Sequence, residues 1–408
     1  MQFSSLFPSH ASRLFTTARQ LRHSIACAKS TQLRDFPAHH LPRLATIAIA
    51  TVTALVFYCS NAQLAQAATS DTAYVAPLRI VSTPNPNVFP LLLAMSRNHS
   101  LPVSLVPVAT GTDIINVFSA GQADALLSMT YTAAQDVVSG KIPQLQLVQV
   151  NFWRGFWMLA PKTDNISEFS QLYGKGILAS GPTAGGKGSG PDLIFQAALK
   201  RVGMPPTDFK ICYLGVMQAA PMVINQQLLS SNSACDPSYR IPATAISMVE
   251  PAASGMVLDS RMSSGGVSLG KAIDMQTLFT GYTAWPATQL PHGGVSVLSR
   301  VLANPSSLAV TKTVLKAYRD AANDIMAARG RPLIMMSIVH TISAGIKTYY
   351  GQYGMSIPGP VIISALRSGD LIYRTDLSLP TIQPNLSAFL TEVVGTPPPA
   401  SFYHPLGQ

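Results

Sequence analysis

LASGPTAGGKGSGPD, residues 178–192, is a short apolar run, a glycine-dense loop and the first positions of an apolar-periodic segment that continues as LIFQAALKRVGM. Strand, glycine loop and helix in that order form the repeating unit of an α/β fold, and the loop's freedom lets the helix aim its first unpaired N–H groups at whatever it encloses. Such a cradle suits an anion or a polar ligand; the plainer alternative is a solvated surface loop. Gly181, Gly186 and Lys187 fill the first positions of a phosphate-binding G-x-x-x-x-G-K-[ST] loop. Gly188 then stands where the Mg²⁺-binding hydroxyl belongs, and Ser189 comes one place late, which counts against a nucleotide site.

On both sides of this stretch the chain alternates strands and helices. LRIVST (78–83), VSLVPVA (103–109) and ADALLSM (123–129) read as strands, each followed by an apolar helix: VFPLLLAMSR, IINVFSAG and TAAQDVVSG. LQLVQV and GFWMLAP (155–161) are further strands, and KTDNISEFSQL (162–172) reads as a linker and a capped helix. GILAS, DFKICYLG and ATAISMVEP (243–251) repeat the pattern with helices between them. Residues 257–291 read as irregular, GGVSVLSR (293–300) as a strand, and the chain beyond Pro305 as helical with a short tail. The succession predicts an α/β protein with parallel-rich sheets covered by helices, in two lobes of similar build.

The 408 residues are enough for two domains at ~100–200 residues each. With 11% charged and 47% hydrophobic residues the chain has neither a disordered nor a nucleic-acid-tail composition. Half of its net charge of +10 lies before residue 68, where Arg13, Arg19, Arg22, Lys29, Arg34 and Arg43 face a single acid, Asp35. The remainder has no basic run, so no nucleic-acid partner is expected. Residues 1–67 read as a targeting segment: a basic region, the apolar run LATIAIATVTALVFYC, and an Ala65-Gln66-Ala67 site with cleavage near Ala67. The alternative is an uncleaved membrane anchor through residues 44–60. Either places the working part outside the cytoplasm. There Cys212 and Cys235 either form a disulfide or Cys212 is a buried strand residue. His99, His292, His340 and His404 are scattered, and no metal or cofactor is implied.

LRIVST, FSAGQADALLSM (118–129), LYGKGILASGP (172–182) with GSGPDLIFQAALKRVGM (188–204), AISMVEPAASG (245–255) and AIDMQTLFTGYTAWPATQLPHGGVSVLSRVLANP (272–305) occur in an order that resembles the periplasmic solute-binding proteins of ABC importers, of the nitrate/sulfonate/taurine type. The resemblance covers almost the whole chain after the leader. It implies a two-lobed type II periplasmic binding fold, with lobe one at 75–161 plus 293–408 and lobe two at 162–292. Two strands would cross between them at about Met158–Pro161 and Gly293–Val297. Its implied partners are a small solute and a membrane permease with its ATPase, and its implied working form is a monomer.

By position, the cleft of such a protein takes Ser82, Thr83 and Asn85 after the first strand, Thr110, Gly111 and Thr112 after the second, and Thr130 and Tyr131 after the third. The second lobe supplies Ser180, Gly181, Ser189, Gly190, Gln218 and Glu250. Each has a structural alternative: Thr110 and Thr112 as helix caps, Glu250 as the partner of a basic residue near the hinge, Tyr131, Trp153 and Trp285 as core or lobe-surface aromatics. Amides and hydroxyls favour an anionic group, while a cleft-facing Glu250 favours a cationic end, so the expected solute is small, polar, and anionic or zwitterionic. An enzyme on the same fold, related to those of pyrimidine-precursor synthesis, is the alternative. No nucleophile–base set or G-x-S-x-G motif supports it. A membrane-tethered sensor is a third reading.

Overall fold

The computed structural model describes residues 76–180, 186–262 and 267–406. The leader and Gly181 lie outside them. β1 (Leu78–Ser82), α1 (Val88–Arg97), β2 (Val103–Pro107), α2 (Gly111–Ser119), β3 (Ala125–Met129), α3 (Thr130–Val138) and β4 (Leu145–Arg154) follow one another as the hydrophobic pattern requires. β5 (Phe156–Pro161), β6 (Gly176–Ser180), α4 (Gly190–Arg201), β7 (Lys210–Leu214), α5 (Val216–Ile224), β8 (Ala243–Val249), α6 (Ala252–Met262) and β9 (Leu269–Asp274) come next. β10 (Gly293–Leu298), α7 (Ser299–Ala303), α8 (Pro305–Ala327), α9 (Pro332–Tyr350), α10 (Gly359–Arg367), β11 (Ile372–Tyr373) and α11 (Leu379–Val394) complete the chain. Pro191, Pro305 and Pro332 each stand in the first turn of their helix, where a missing N–H breaks no bond.

Two sheets result, ordered β11-β4-β10-β3-β1-β2 and β7-β6-β8-β5-β9. Each has a parallel core, β2-β1-β3 in one and β7-β6-β8 in the other, built by helical crossovers. Each core is then flanked by an antiparallel strand, β10 beside β3 and β5 beside β8. That strand is where the chain arrives from the other sheet, so the sheets are joined by exchange of strands. β5 pairs on both sides within the second sheet. The first crossing is therefore at Arg154–Phe156 and not at Met158–Pro161, while the return runs between Asp274 and Gly293.

Residues 257–291, read as irregular, contain the end of α6 and all of β9. β9 escapes a hydrophobic-pattern reading because Lys271 and Asp274 sit in it, and both are neutralised by ion pairs inside the protein.

One continuous apolar core fills both faces of the first sheet and the near face of the second, and another fills the second sheet's far face. Strand pleat decides which side chain goes where: Met158 and Ile177 enter the first core, their neighbours Leu159 and Leu178 the second. α11 packs on α3 from the first half and on α4 from the second. Arg201 of α4 is held by Glu392 of α11 through Nε at 2.5 Å and Nη2 at 2.8 Å.

Cys212 on β7 and Cys235 are joined as a disulfide inside the second core. Closing a loop of 23 residues stabilises the native chain by about 3 kcal/mol through the unfolded state. Replacing both cysteines by Ala is expected to lower the urea-unfolding free energy by about that amount. Equal midpoints for the variant and the oxidised protein would contradict it.

Candidate functional site

The carboxyl ends of β1, β2 and β3 and the helix N-termini that follow them carry the first set of expected residues. Ser82 is buried, and its hydroxyl bonds the Leu127 carbonyl at 3.1 Å while accepting from Asn85 Nδ2 at 3.1 Å. Asn85 also donates to the Thr83 carbonyl at 3.0 Å and accepts from the Asn87 amide at 2.9 Å. These three residues thus form a turn whose bonds are largely internal. Thr110 caps α2 in a reciprocal box with Asp113, Gly111 follows as the first helical residue, and Thr112 is exposed.

Thr130 and Tyr131 begin α3 and are both buried. The Thr130 hydroxyl donates to the Pro291 carbonyl, and its amide to that of His292 at 2.8 Å. Tyr131 lies edge-on to Phe389 of α11, and its hydroxyl has no partner. Burial alone pushes that phenol far above its ordinary range, so it is neutral and a donor.

From the second sheet, Ser180 ends β6 and is buried against Met248 sulfur at 3.6 Å. Gln218, in the first turn of α5, is exposed. The described part of the glycine loop is more ordered than a solvated loop. The Ser189 hydroxyl donates to the Gly186 carbonyl at 2.8 Å, and Gln135 of α3 donates to the Gly188 carbonyl at 2.9 Å. A Cβ on Gly190 would stand 2.7 Å from Thr132 Oγ1 and 3.9 Å from Tyr131 Cε2. The structure therefore brings the N-terminus of α4 against the first turn of α3, where Gly190 meets Tyr131 and Thr132.

Asp192 changes the loop's electrostatics. This buried carboxylate accepts from the Gly188 amide at 2.7 Å, from the Tyr213 hydroxyl at 2.8 Å and from Gln196 at 3.0 Å. The helix N-terminus thus already holds one negative group of its own. The Ser-x-x-Asp spacing of Ser189 and Asp192 is a capping-box signature and was the available signal for it. Lys187 is exposed.

Glu250, expected as a cleft-facing carboxylate, is fully buried and paired with Lys271. The same ammonium reaches Asp370 at 2.5 Å and the Ser254 hydroxyl at 2.9 Å, and lies over the Trp157 ring. Burial raises the Glu250 pKa, while Lys271 and the Ser254 amide favour its charged form. The ion-pair alternative is the one the structure shows, so Glu250 is not a free recognition group.

A residue that sequence reading passed over controls the crossing. Gln276 is buried, and its Oε1 accepts from the Phe156 amide at 2.5 Å, the Gly155 amide at 3.3 Å and His292 Nε2 at 3.1 Å. Its amide donates to Asp274, which is ion-paired to Arg154. Both crossings are thereby tied to one carboxamide. Gly155 is required there because a Cβ would stand 2.6 Å from the Phe152 ring.

No family model matches the sequence, and comparison with curated proteins gives no significant match. Solved structures do match the fold. They include the periplasmic aliphatic sulphonate binding protein SsuA of Escherichia coli, at 15% identity and TM-score 0.54, over 79% of this chain and 91% of that one. An ABC transporter protein of Parabacteroides distasonis gives 14% identity and TM-score 0.54 over 82% of this chain and 100% of that one. The alkanesulfonate-binding SsuA of Xanthomonas axonopodis pv. citri, bound to MOPS, gives 16% and 0.52 over 82% and 100%. The fold is that of the ABC-type periplasmic solute-binding proteins.

Replacing Gln276 by Leu strands the Gly155 and Phe156 amides and is expected to lower stability by about 3 kcal/mol; a loss below about 0.5 kcal/mol would refute the crossing role. Burial pushes His292 down to about 3, so between pH 6.5 and 3 the unfolded chain binds a proton that the native one refuses. Stability falls through this group as pH falls, by about 2 kcal/mol at pH 5. Burial raises Asp136 to about 6, which acts in the opposite direction, so the measurement is the difference in pH slope between the wild type and His292→Gln. Parallel slopes would contradict it.

Proposed function

We propose that this protein is an extracytoplasmic solute-binding protein that captures a small polar solute between lobes built on its two sheets and delivers it to an ABC importer without chemically altering it. The observation that carries the reading is the meeting of two helix N-termini from opposite sheets, α3 and α4, beside a buried phenol hydroxyl without a partner. Amides and hydroxyls converge there, and a solute bridging them would be held by both halves at once. Separation of α3 from α4 would admit it, and closure would present one shape to a permease.

The solute class follows from which charged groups are already engaged within the protein. Lys271 is engaged by two carboxylates, and Asp192 already takes up the Gly188 amide. An anionic or zwitterionic solute of the sulfonate, nitrate or taurine class would therefore be held by neutral donors, Tyr131 and the first amides of α4 among them. Two of the fold neighbours named above bind sulfonates, which makes these the first compounds to try. The disulfide and the apolar leader support a location outside the cytoplasm, with a permease and its ATPase as membrane partners. Among the described residues no helix is long and apolar enough to cross a membrane, and no group of His, Cys, Asp and Glu could hold a metal ion.

Thermal scanning of the protein with taurine, alkanesulfonates, nitrate, carboxylates and amines tests the reading. A ligand at 100 times its dissociation constant should add about 2.7 kcal/mol of stability; no shift with any of them, or turnover of one, would contradict it. Tyr131→Phe gives the sharper outcome. Removing an unpaired buried hydroxyl should raise the stability of the free protein by about 1 kcal/mol and weaken solute binding about tenfold. Weaker binding together with a less stable free protein would mean that the hydroxyl is structural.

A further inference from the structure

A cavity lies away from the α3–α4 contact, at the edge of the six-stranded sheet, and shares no lining residue with it. β4, α8, the connection from β11 to α11 and the C-terminal tail enclose it, and its volume is about 30 Å³. Its floor is apolar, with Val148, Val150, Leu315 and Leu379 all buried, and Pro380 and Pro405 form an exposed rim. Three polar side chains line it, and two of them are unusual.

Gln149 has both carboxamide atoms buried with no hydrogen-bond partner. Leaving such groups unpaired is costly, and native proteins seldom do so. Arg319 lines the same cavity and is half-buried, with neither an ion pair nor a hydrogen bond among the described residues. The acids close to it in sequence are engaged elsewhere, Asp320 with Lys316 and Asp324 with Arg97, and Asp376, next to the lining residue Thr375, is paired with Arg374. The remaining polar lining group, Thr375, spends its hydroxyl on Asn323 at 2.6 Å.

A guanidinium fork without a carboxylate, a carboxamide without partners and an apolar floor together specify a ligand. It must offer a planar anionic pair of acceptors to Arg319, another acceptor contact to Gln149 Nε2, and an apolar remainder for the leucine and valine surface. We propose that this cavity is a second ligand site that takes a small monocarboxylate. The volume admits about two water-sized groups, which fits a carboxylate head. The short alkyl remainder lies toward the proline rim. A hydroxyl next to the carboxylate satisfies Gln149 Oε1 as well, so a hydroxy acid binds more tightly than its plain analogue.

The test titrates the full chain, by calorimetry and thermal scanning at constant ionic strength, with propionate, lactate, propionamide, propylammonium and chloride. Propionate and lactate are expected to give saturable binding, lactate more tightly, and the other three none. Arg319→Lys should weaken propionate binding about tenfold, and Arg319→Met should abolish it. Gln149→Leu should remove the advantage of lactate. Tyr131→Phe should leave carboxylate binding here unchanged, which separates failure of this site from failure of the one between α3 and α4. Equal binding of propionamide, or propionate affinity indifferent to both Arg319 variants, would overturn the proposal; so would a response limited to water or chloride filling the cavity.

Discussion

The carboxamide of Gln276 is the constraint on which the arrangement depends. The chain has to leave one sheet at Gly155 and return to it beside His292, and at both places backbone or ring donors are buried without a strand partner. One oxygen accepts from all of them, and the amide on the same side chain is anchored by Asp274 and through it by Arg154. Because all four partners are satisfied in one orientation, the crossing is fixed in geometry as well as position. With the crossing fixed, β5 and β10 enter the sheets they flank in register, and the helices after β3 and β6 meet at their N-termini.

From that frame the approach of α3 to α4 follows. α11 lies across both helices, its Glu392 holding Arg201 while its Phe389 packs on Tyr131. What remains at the contact is a place where a glycine, an unpaired phenol and two helix N-termini meet with little room for side chains. The Asp192 carboxylate is taken up by its own loop and helix, and elsewhere in the protein Glu250, Lys271 and Asp370 neutralise one another. Under the proposed function a solute there would be held by neutral donors, and among the described residues the free protein carries no uncompensated buried charge for it.

Most of the frame was legible in the sequence because strand runs such as GILAS and ALLSM are buried on both faces and bounded by loop residues. β9 was not, since its charged residues are compensated by partners distant in sequence, Asp370 and Arg154. The site was legible in part. Position along the fold selected Tyr131 and Gly190, which lie against each other, yet it equally selected Thr112 and Gln218, which are exposed. Glu250 was indistinguishable from a ligand contact until Lys271 was seen beside it. Gln276 and His292 carry no local signal, because their role exists only once the crossing at Gly155, 121 residues before Gln276, is folded against the return segment.

The most direct measurement is amide hydrogen exchange of the protein with and without saturating taurine or ethanesulfonate, read on peptides covering 129–135 and 186–193. Capture between the two helix N-termini predicts slower exchange in both peptides together, with the exposed first turn of α2 unchanged. Protection of one peptide without the other, or of neither, would contradict a solute held between the halves.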